Sequence, residues 1–347
     1  MELASCRNAI EEPVIEEVKA QVKSLSPALQ NQVDVRGIVA YSLNRLPTMY
    51  ATTQRGWSQQ RRRAREEFGD QIKGAVRQGM LGIRKDVLRE SQPLPEEELE
   101  TEARSLAKLQ KILGKPDLRW RELHEALQDT LINIHDRGAL STGHVSMARK
   151  NALTIKSYLK RSKSHDPGWK SRQITVALSE HAIQSSQDEK EFASYMLRAY
   201  WNYTNILENL VMAVAELQLK RMEPAAKERI TLNEVAAYTL NRLPPMYATS
   251  NKGLQQLRIR AKTEMAHQIV ALVREAVVRV REYPQRLLPP LTIQKFTKER
   301  DLALSELRTC LELPDLTWQN VVEVVQDIIT QSEEGDTIWY RKLQRSS

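Results

Sequence analysis

Residues 41–56 read YSLNRLPTMYATTQRG, and residues 238–253 read YTLNRLPPMYATSNKG. Nearly the same sixteen residues stand twice in one chain, which is the signature of an internal duplication. Placing Asn44 on Asn241 sets an offset of 197 positions. At that offset Asn8 falls on Asn205, Ile10 on Leu207, Glu11 on Glu208, Gln71-Ile72 on Gln268-Ile269, and Arg77 on Arg274. Further on, KPDLRWRELHEALQDTLINI (115–134) matches LPDLTWQNVVEVVQDIITQS (313–332) at an offset of 198, so one loop has changed length by a residue. The expected organisation is a first repeat unit over 8–137 with its core at 8–90, a connecting segment over 138–184, and a second unit over 185–335 with its core at 205–283.

The fold class expected is all-α or mainly α. Ile10, Val14, Val18 and Val22 recur at helical spacing, and the counterpart NILENLVMAVAELQLKRM (205–222) is more apolar. That second helix is expected to be buried more deeply and to couple the repeats. Asp34 and Thr231 are expected helix caps before the shared signature, and Pro47 and Pro244 stop the helix that carries it. Long helices are expected over about 57–84 and 254–281, followed by linkers at QPLPEEELE (92–100) and YPQRLLPPLTIQ (283–294). Trp120 and Trp318 open the apolar faces of a further helix pair. No run alternates strongly enough to demand a strand, although short strands stay open.

Within the signature, Asn44 and Asn241 suit a left-handed helix C-cap, with Arg45 reaching the last carbonyls. Tyr50 reads as a core residue with its hydroxyl on backbone. Thr52, Thr53, Arg55 and Gly56 follow, matched by Thr249, Ser250, Lys252 and Gly253. Hydroxyls and a cation at a helix start suit a phosphate, because the first backbone N–H groups are free there. Thr53 and Ser250 equally suit plain N-caps. Arg61 recurs as Arg258 and Arg63 as Arg260, and arginine can grip phosphate in a bidentate fork or stack on guanine. The candidate ligand-binding set is therefore Tyr50, Thr52, Thr53, Arg55, Arg61 and Arg63, with Tyr247, Thr249, Ser250, Lys252, Arg258 and Arg260.

The formal charge is +8 with pI near 9.4, a balance that favours anionic partners. The most basic local stretch, HVSMARKNALTIKSYLKRSKSHDPGWKSR (144–172), reads as a solvated linker or as a nucleic-acid contact through 149–172. Cys6 and Cys310 have no CxxC spacing, so no zinc ligand set is expected. His124, His135, His144, His165, His181 and His267 form no HExxH pattern, and Walker, dinucleotide-binding and nucleophile-elbow motifs are missing. The residues thus argue against an enzyme and for no catalytic site or cofactor. The opening stretch is acidic without a signal-peptide pattern, and no apolar run spans a bilayer, so a cytoplasmic protein without membrane contact is expected.

At the signature the chain resembles the ComFB family of late-competence-development proteins. The resemblance is carried by IVAYSLNRLPTMYATTQRGW (38–57) and EVAAYTLNRLPPMYATSNKG (234–253), with NAIEEPVIEEV (8–18) and NILENLVMAV (205–214) upstream. It implies small, mainly helical dimeric domains, here in tandem, able to make the dimer contact within one chain. It also implies a regulatory ligand, cyclic di-GMP, as in cyanobacterial relatives. Zinc binding, known in Bacillus-type relatives, needs cysteines this chain lacks. Met49 and Met246 stand where relatives often carry a basic residue. The function expected is a non-enzymatic regulator or adaptor that takes a cyclic dinucleotide and a protein partner or second copy. The alternatives are an interaction scaffold with degenerate ligand sites and a nucleic-acid-binding protein.

Overall fold

The computed structural model describes residues 6–83, 92–141, 188–189, 191–227, 230–282, 289, 291, 293–336 and 338–339. The basic stretch over 149–172 lies outside them. Each repeat core opens with a two-residue strand and a helix: β1 (Arg7–Asn8) and α1 (Glu11–Lys23) in the first, β3 (Thr204–Asn205) and α8 (Ile206–Lys220) in the second. Short helices α2 (Pro27–Gln30) and α9 (Pro224–Lys227) follow. Next come α3 (Val35–Leu43) and α10 (Leu232–Leu240), which carry the signature, then strands β2 (Tyr50–Ala51) and β4 (Tyr247–Ala248). Each core closes on two helices, α4 (Gln54–Glu66) and α5 (Gly69–Gly82), or α11 (Asn251–Glu264) and α12 (Ala266–Glu282). The short strands left open by the sequence are antiparallel ladders, with Asn8 opposite Tyr50 and Asn205 opposite Tyr247.

The local chemistry explains most boundaries. Asp34 accepts from Gly37 N–H at 3.1 Å and Thr231 from Glu234 N–H at 3.3 Å, the N-caps expected of them. Thr53 and Ser250 cap α4 and α11 in the same way, accepting from Gly56 and Gly253 at 3.2 and 3.3 Å. The single long helices expected over 57–84 and 254–281 are each broken in two. In the first core the break lies at Glu67-Phe68, and in the second at Met265. Val211 sits in the second core with Val235, Ala236, Val273 and Ala276. Helix α8 packs on α10, α11 and α12 of its own repeat. The expectation that it couples the two repeats holds in part: its apolar residues mostly fill its own core, but Cys6, Tyr50 and Leu94 of the first repeat join that cluster, and its Glu208 accepts from Tyr50.

Coupling runs through the signature. The end of α10 contacts β2, and the end of α3 contacts β4. The segments after α5 and α12, expected as linkers, are exchanged straps. Asn251 N–H donates to Gln92 O at 3.1 Å and Pro93 bridges Ser250, so the first repeat's exit segment lies on the second repeat. Reciprocally, Gln54 N–H donates to Pro289 O at 3.1 Å and Leu291 N–H to Thr52 O at 3.3 Å. Leu94 and Leu291 anchor these straps, each only 4% exposed.

The compact units do not follow chain order. One holds residues 1–101 and 194–297, hence both repeat cores; the other holds 102–193 and 298–347. The second holds helices α7 (Leu123–Ser141) and α14 (Val321–Glu333) and most of α6 (Thr101–Ile112) and α13 (Ile293–Leu311), which supply the Trp-containing parts of both repeats. There α7 packs on α14, and Trp120 meets Trp318 edge-on at 4.6 Å between ring centroids. Ser105 donates to Trp318 O at 2.5 Å.

Candidate functional site at the paired repeat cores

The signature asparagines do not act as left-handed caps. Asn44 and Asn241 have φ of −70° and −71°, in the right-handed region. Their side chains instead reach the opposite repeat. Asn44 accepts from Tyr247 N–H at 2.6 Å and donates to Tyr247 O at 3.0 Å. Asn241 accepts from Tyr50 N–H at 2.6 Å and donates to Tyr50 O at 2.9 Å. Each amide thus completes both main-chain groups of a strand residue across the pair, a geometry only Asn or Gln can offer. Arg45 and Arg242 do cap helix ends as expected, donating to Tyr41 O and Tyr238 O at 3.3 and 3.1 Å.

Between the two clamps lies a buried polar cluster. Tyr50 is buried as expected, but its hydroxyl goes to side chains rather than backbone. It donates to Glu208 at 2.5 Å and accepts from Asn205 at 3.0 Å. Tyr247 mirrors this on the first repeat, donating to Glu11 at 2.7 Å and accepting from Asn8 at 2.9 Å. Arg198, from the helical stretch over 191–201, joins the carboxylates. It donates to Glu11 through Nε and Nη2 at 3.0 and 2.5 Å, and to Glu208 through Nη1 and Nη2 at 2.7 Å each. Tyr203 adds a donor to Glu11 at 2.9 Å. Asn8 and Asn205 also accept from Met49 and Met246 N–H, tying the cluster to both strands.

Electrostatics follow from this geometry. Burial opposes ionisation of Glu11, but Arg198 and the Tyr247 hydroxyl outweigh it and hold the carboxyl below its usual range. Burial would also disfavour the Arg198 cation, and the two carboxylates more than reverse that. Burial and the adjoining carboxylates raise Tyr50, Tyr203 and Tyr247 well above the ordinary phenol value of 10.0. A raised folded-state value favours the protonated phenol in the native state. The resulting stability is complete below pH 10 and is lost as pH climbs through the folded values. In an alkaline titration followed by phenolate absorbance, exposed tyrosines are expected to ionise first. These three should ionise only with loss of native circular dichroism. Their ionisation near pH 10 in a still-folded protein would contradict the cluster.

The residues expected to bind a ligand divide into three kinds. Tyr50 and Tyr247 lie inside the cluster. Thr53 and Ser250 are spent as helix caps. Arg61 is paired with Glu12 within its own repeat, and Arg258 with Glu98 of the opposite strap at 2.5 Å. Arg63 and Arg260 face solvent and pair along their helices with Glu67 and Glu264. Thr52 and Thr249 are half-buried, and Arg55 and Lys252 are exposed. Among the described residues neither Arg55 nor Lys252 makes an ion pair.

Sequence reading missed Arg198, Glu11, Glu208, Asn8, Asn205 and Tyr203 as site residues. A usable signal existed for four of them. Asn8/Asn205 and Glu11/Glu208 are polar identities whose immediate neighbours differ between the repeats, and buried polar groups must find partners. Arg198 precedes the repeated span and leaves no such trace. Among the described residues no group of three His, Cys, Asp or Glu side chains is placed to hold a metal ion. No described helix is long and apolar enough to cross a membrane.

Comparison with known proteins agrees with the repeats. Residues 7–86 and 204–284 each match the family model described as late competence development protein ComFB. No match was found among curated proteins. Both repeat cores thus match the ComFB family model, consistent with tandem ComFB-like domains, and that match supports a non-enzymatic regulatory or adaptor role.

Proposed function

We propose that this protein is a regulatory adaptor that responds to cyclic di-GMP at the two strand-to-helix junctions of its ComFB pair. One observation carries the reading. The same hydroxyl–cation set recurs at equivalent junctions, Thr52 with Arg55 and Thr249 with Lys252, with both cations exposed. A cyclic dinucleotide carries two phosphates, and a pair of such junctions offers a cation for each. Tyr50 and Tyr247 would support these junctions from within rather than touch ligand. Arg61 and Arg258 would have to be drawn from Glu12 and Glu98 to take part, which favours a ligand of concentrated negative charge.

Titration calorimetry of the full-length protein with cyclic di-GMP tests this, with cyclic di-AMP, cyclic AMP and a short DNA duplex as comparators. Saturable binding is expected, and Arg55→Ala/Lys252→Ala should weaken it by on the order of tenfold or more, the scale of a lost charge-assisted hydrogen bond. No binding by the folded protein at millimolar cyclic di-GMP would defeat the proposal. A second reading, an adaptor that works through protein contacts alone, has its own observation. The first N–H of α4 and of α11 already donates to a strap carbonyl, at Pro289 and Gln92. Preference for the duplex over all three nucleotides would favour the nucleic-acid reading instead.

A further inference from the structure

The pair is reciprocal in its clamps but not at its centre. The offset that carries Asn8, Glu11 and Tyr50 onto Asn205, Glu208 and Tyr247 carries Cys6 onto Tyr203 and Met1 onto Arg198. The second repeat therefore brings the cation that bonds both carboxylates, and it also brings the larger neighbour; the first repeat's buried Arg7 pairs with Glu100 instead. One guanidinium serves both carboxylates, using Nε, Nη1 and Nη2. Arg198, Glu11 and Glu208 are all buried, so the match between cation and carboxylates is made away from water.

We infer that this centre is a pairing code that makes the first repeat complementary to the second and neither complementary to a copy of itself. Consider the alternatives residue by residue. Two first repeats would bring together two Glu11 carboxylates and two Cys6 thiols without the guanidinium that bonds them, since the first repeat's buried Arg7 is paired with Glu100 at 2.7 Å. Buried carboxylates without a cation are strongly disfavoured. Two second repeats would bring two Arg198 side chains to a centre whose carboxylate edges one already occupies. They would also put a Tyr203 ring where Cys6, 1% exposed, leaves room for a thiol. Only the mixed pair balances both charge and volume. The partner this face fits is thus the other repeat of the same chain. Tethering raises the local concentration of that partner, but it does not discriminate between repeats. Discrimination comes from excluding the wrong pairings.

The full-length variant Arg198→Met/Tyr203→Cys tests this in cis. It gives the second repeat the first repeat's own residues at both positions, so the centre of a first–first pair forms within one tethered chain. Relative to Tyr203→Cys alone, its melting temperature at pH 7 is expected to fall by on the order of 10 °C. Adding Glu11→Gln and Glu208→Gln should recover roughly half of that loss or more, because the glutamines keep shape and remove charge. The reverse mimic, Cys6→Tyr, should also melt lower than the parent through overpacking. A melting temperature within about 2 °C of Tyr203→Cys alone would overturn the code. So would a loss that the glutamines leave unchanged, since packing would then be its cause. If Arg198→Met/Tyr203→Cys does not fold, the glutamine-bearing form is still expected to fold, and its failure would overturn the proposal as well.

Discussion

Arg198→Met is expected to lower the unfolding free energy of the full-length protein by about 3–5 kcal/mol, the scale for removing one partner of a buried ion pair. Methionine fills much of the same volume without charge. Glu11 and Glu208 would then remain buried against each other with only tyrosine hydroxyls as donors. Denaturant unfolding at pH 7 measures the loss. The pH dependence separates charge from packing. In the parent, Glu11 is held below the usual 4.5, so its contribution is present above that value and is lost as pH falls through the folded one. In the variant the uncompensated carboxylates should favour protonation, so stability should rise as pH falls from 7 toward about 5. A loss below about 1 kcal/mol, or the same pH slope as the parent, would show that Arg198 does not hold the cluster.

Asn44→Ala with Asn241→Ala should be the second large effect. Each substitution removes two hydrogen bonds and leaves the N–H and C=O of one strand tyrosine unsatisfied at the pair interface. An unsatisfied buried group costs about 1–3 kcal/mol, so each single variant should lose at least that much. The two clamps grip opposite ends of a shared interface, so losing one loosens the other. The double variant should therefore depart from the sum of the singles, as coupled sites do. Glutamine at either position keeps the amide but overreaches by a methylene, and it should recover only part of the loss. Wild-type stability in the double variant would mean that the clamps are incidental.

These expectations show what the sequence could and could not disclose. Helical periodicity, proline stops and hydroxyl caps located most helices, because those signals act over a few residues and their partners lie within the same turn. The breaks near Phe68 and Met265 were not legible: no proline marks either, and Gly69 beside the first is matched by Ala266 in the second, so no shared breaker signals them. The duplication was plain in the signature. Its meaning was not, because a side chain that bonds across a pair carries no local mark of its target. Asn44 fits a C-cap by composition, and only the fold shows that it reaches Tyr247, 203 positions away. The same holds for the straps, whose prolines and polar residues read as linkers although Leu94 and Leu291 are buried. At the proposed ligand site, the recurrence of hydroxyls and cations was visible. The carboxylates that engage Arg61 and Arg258 were not, because Glu98 comes from the opposite repeat's strap.

Hydrogen exchange at the Tyr50 and Tyr247 amides tests the crossed pairing most directly. Each of these N–H groups donates to the asparagine of the other repeat. In the full-length protein, Asn241→Ala should accelerate exchange at Tyr50, in the first repeat, and leave Tyr247 protected. Asn44→Ala should do the reverse. If each substitution instead exposed the tyrosine of its own repeat, or neither changed exchange at the opposite strand, the two repeats would not be clamped to one another through this signature.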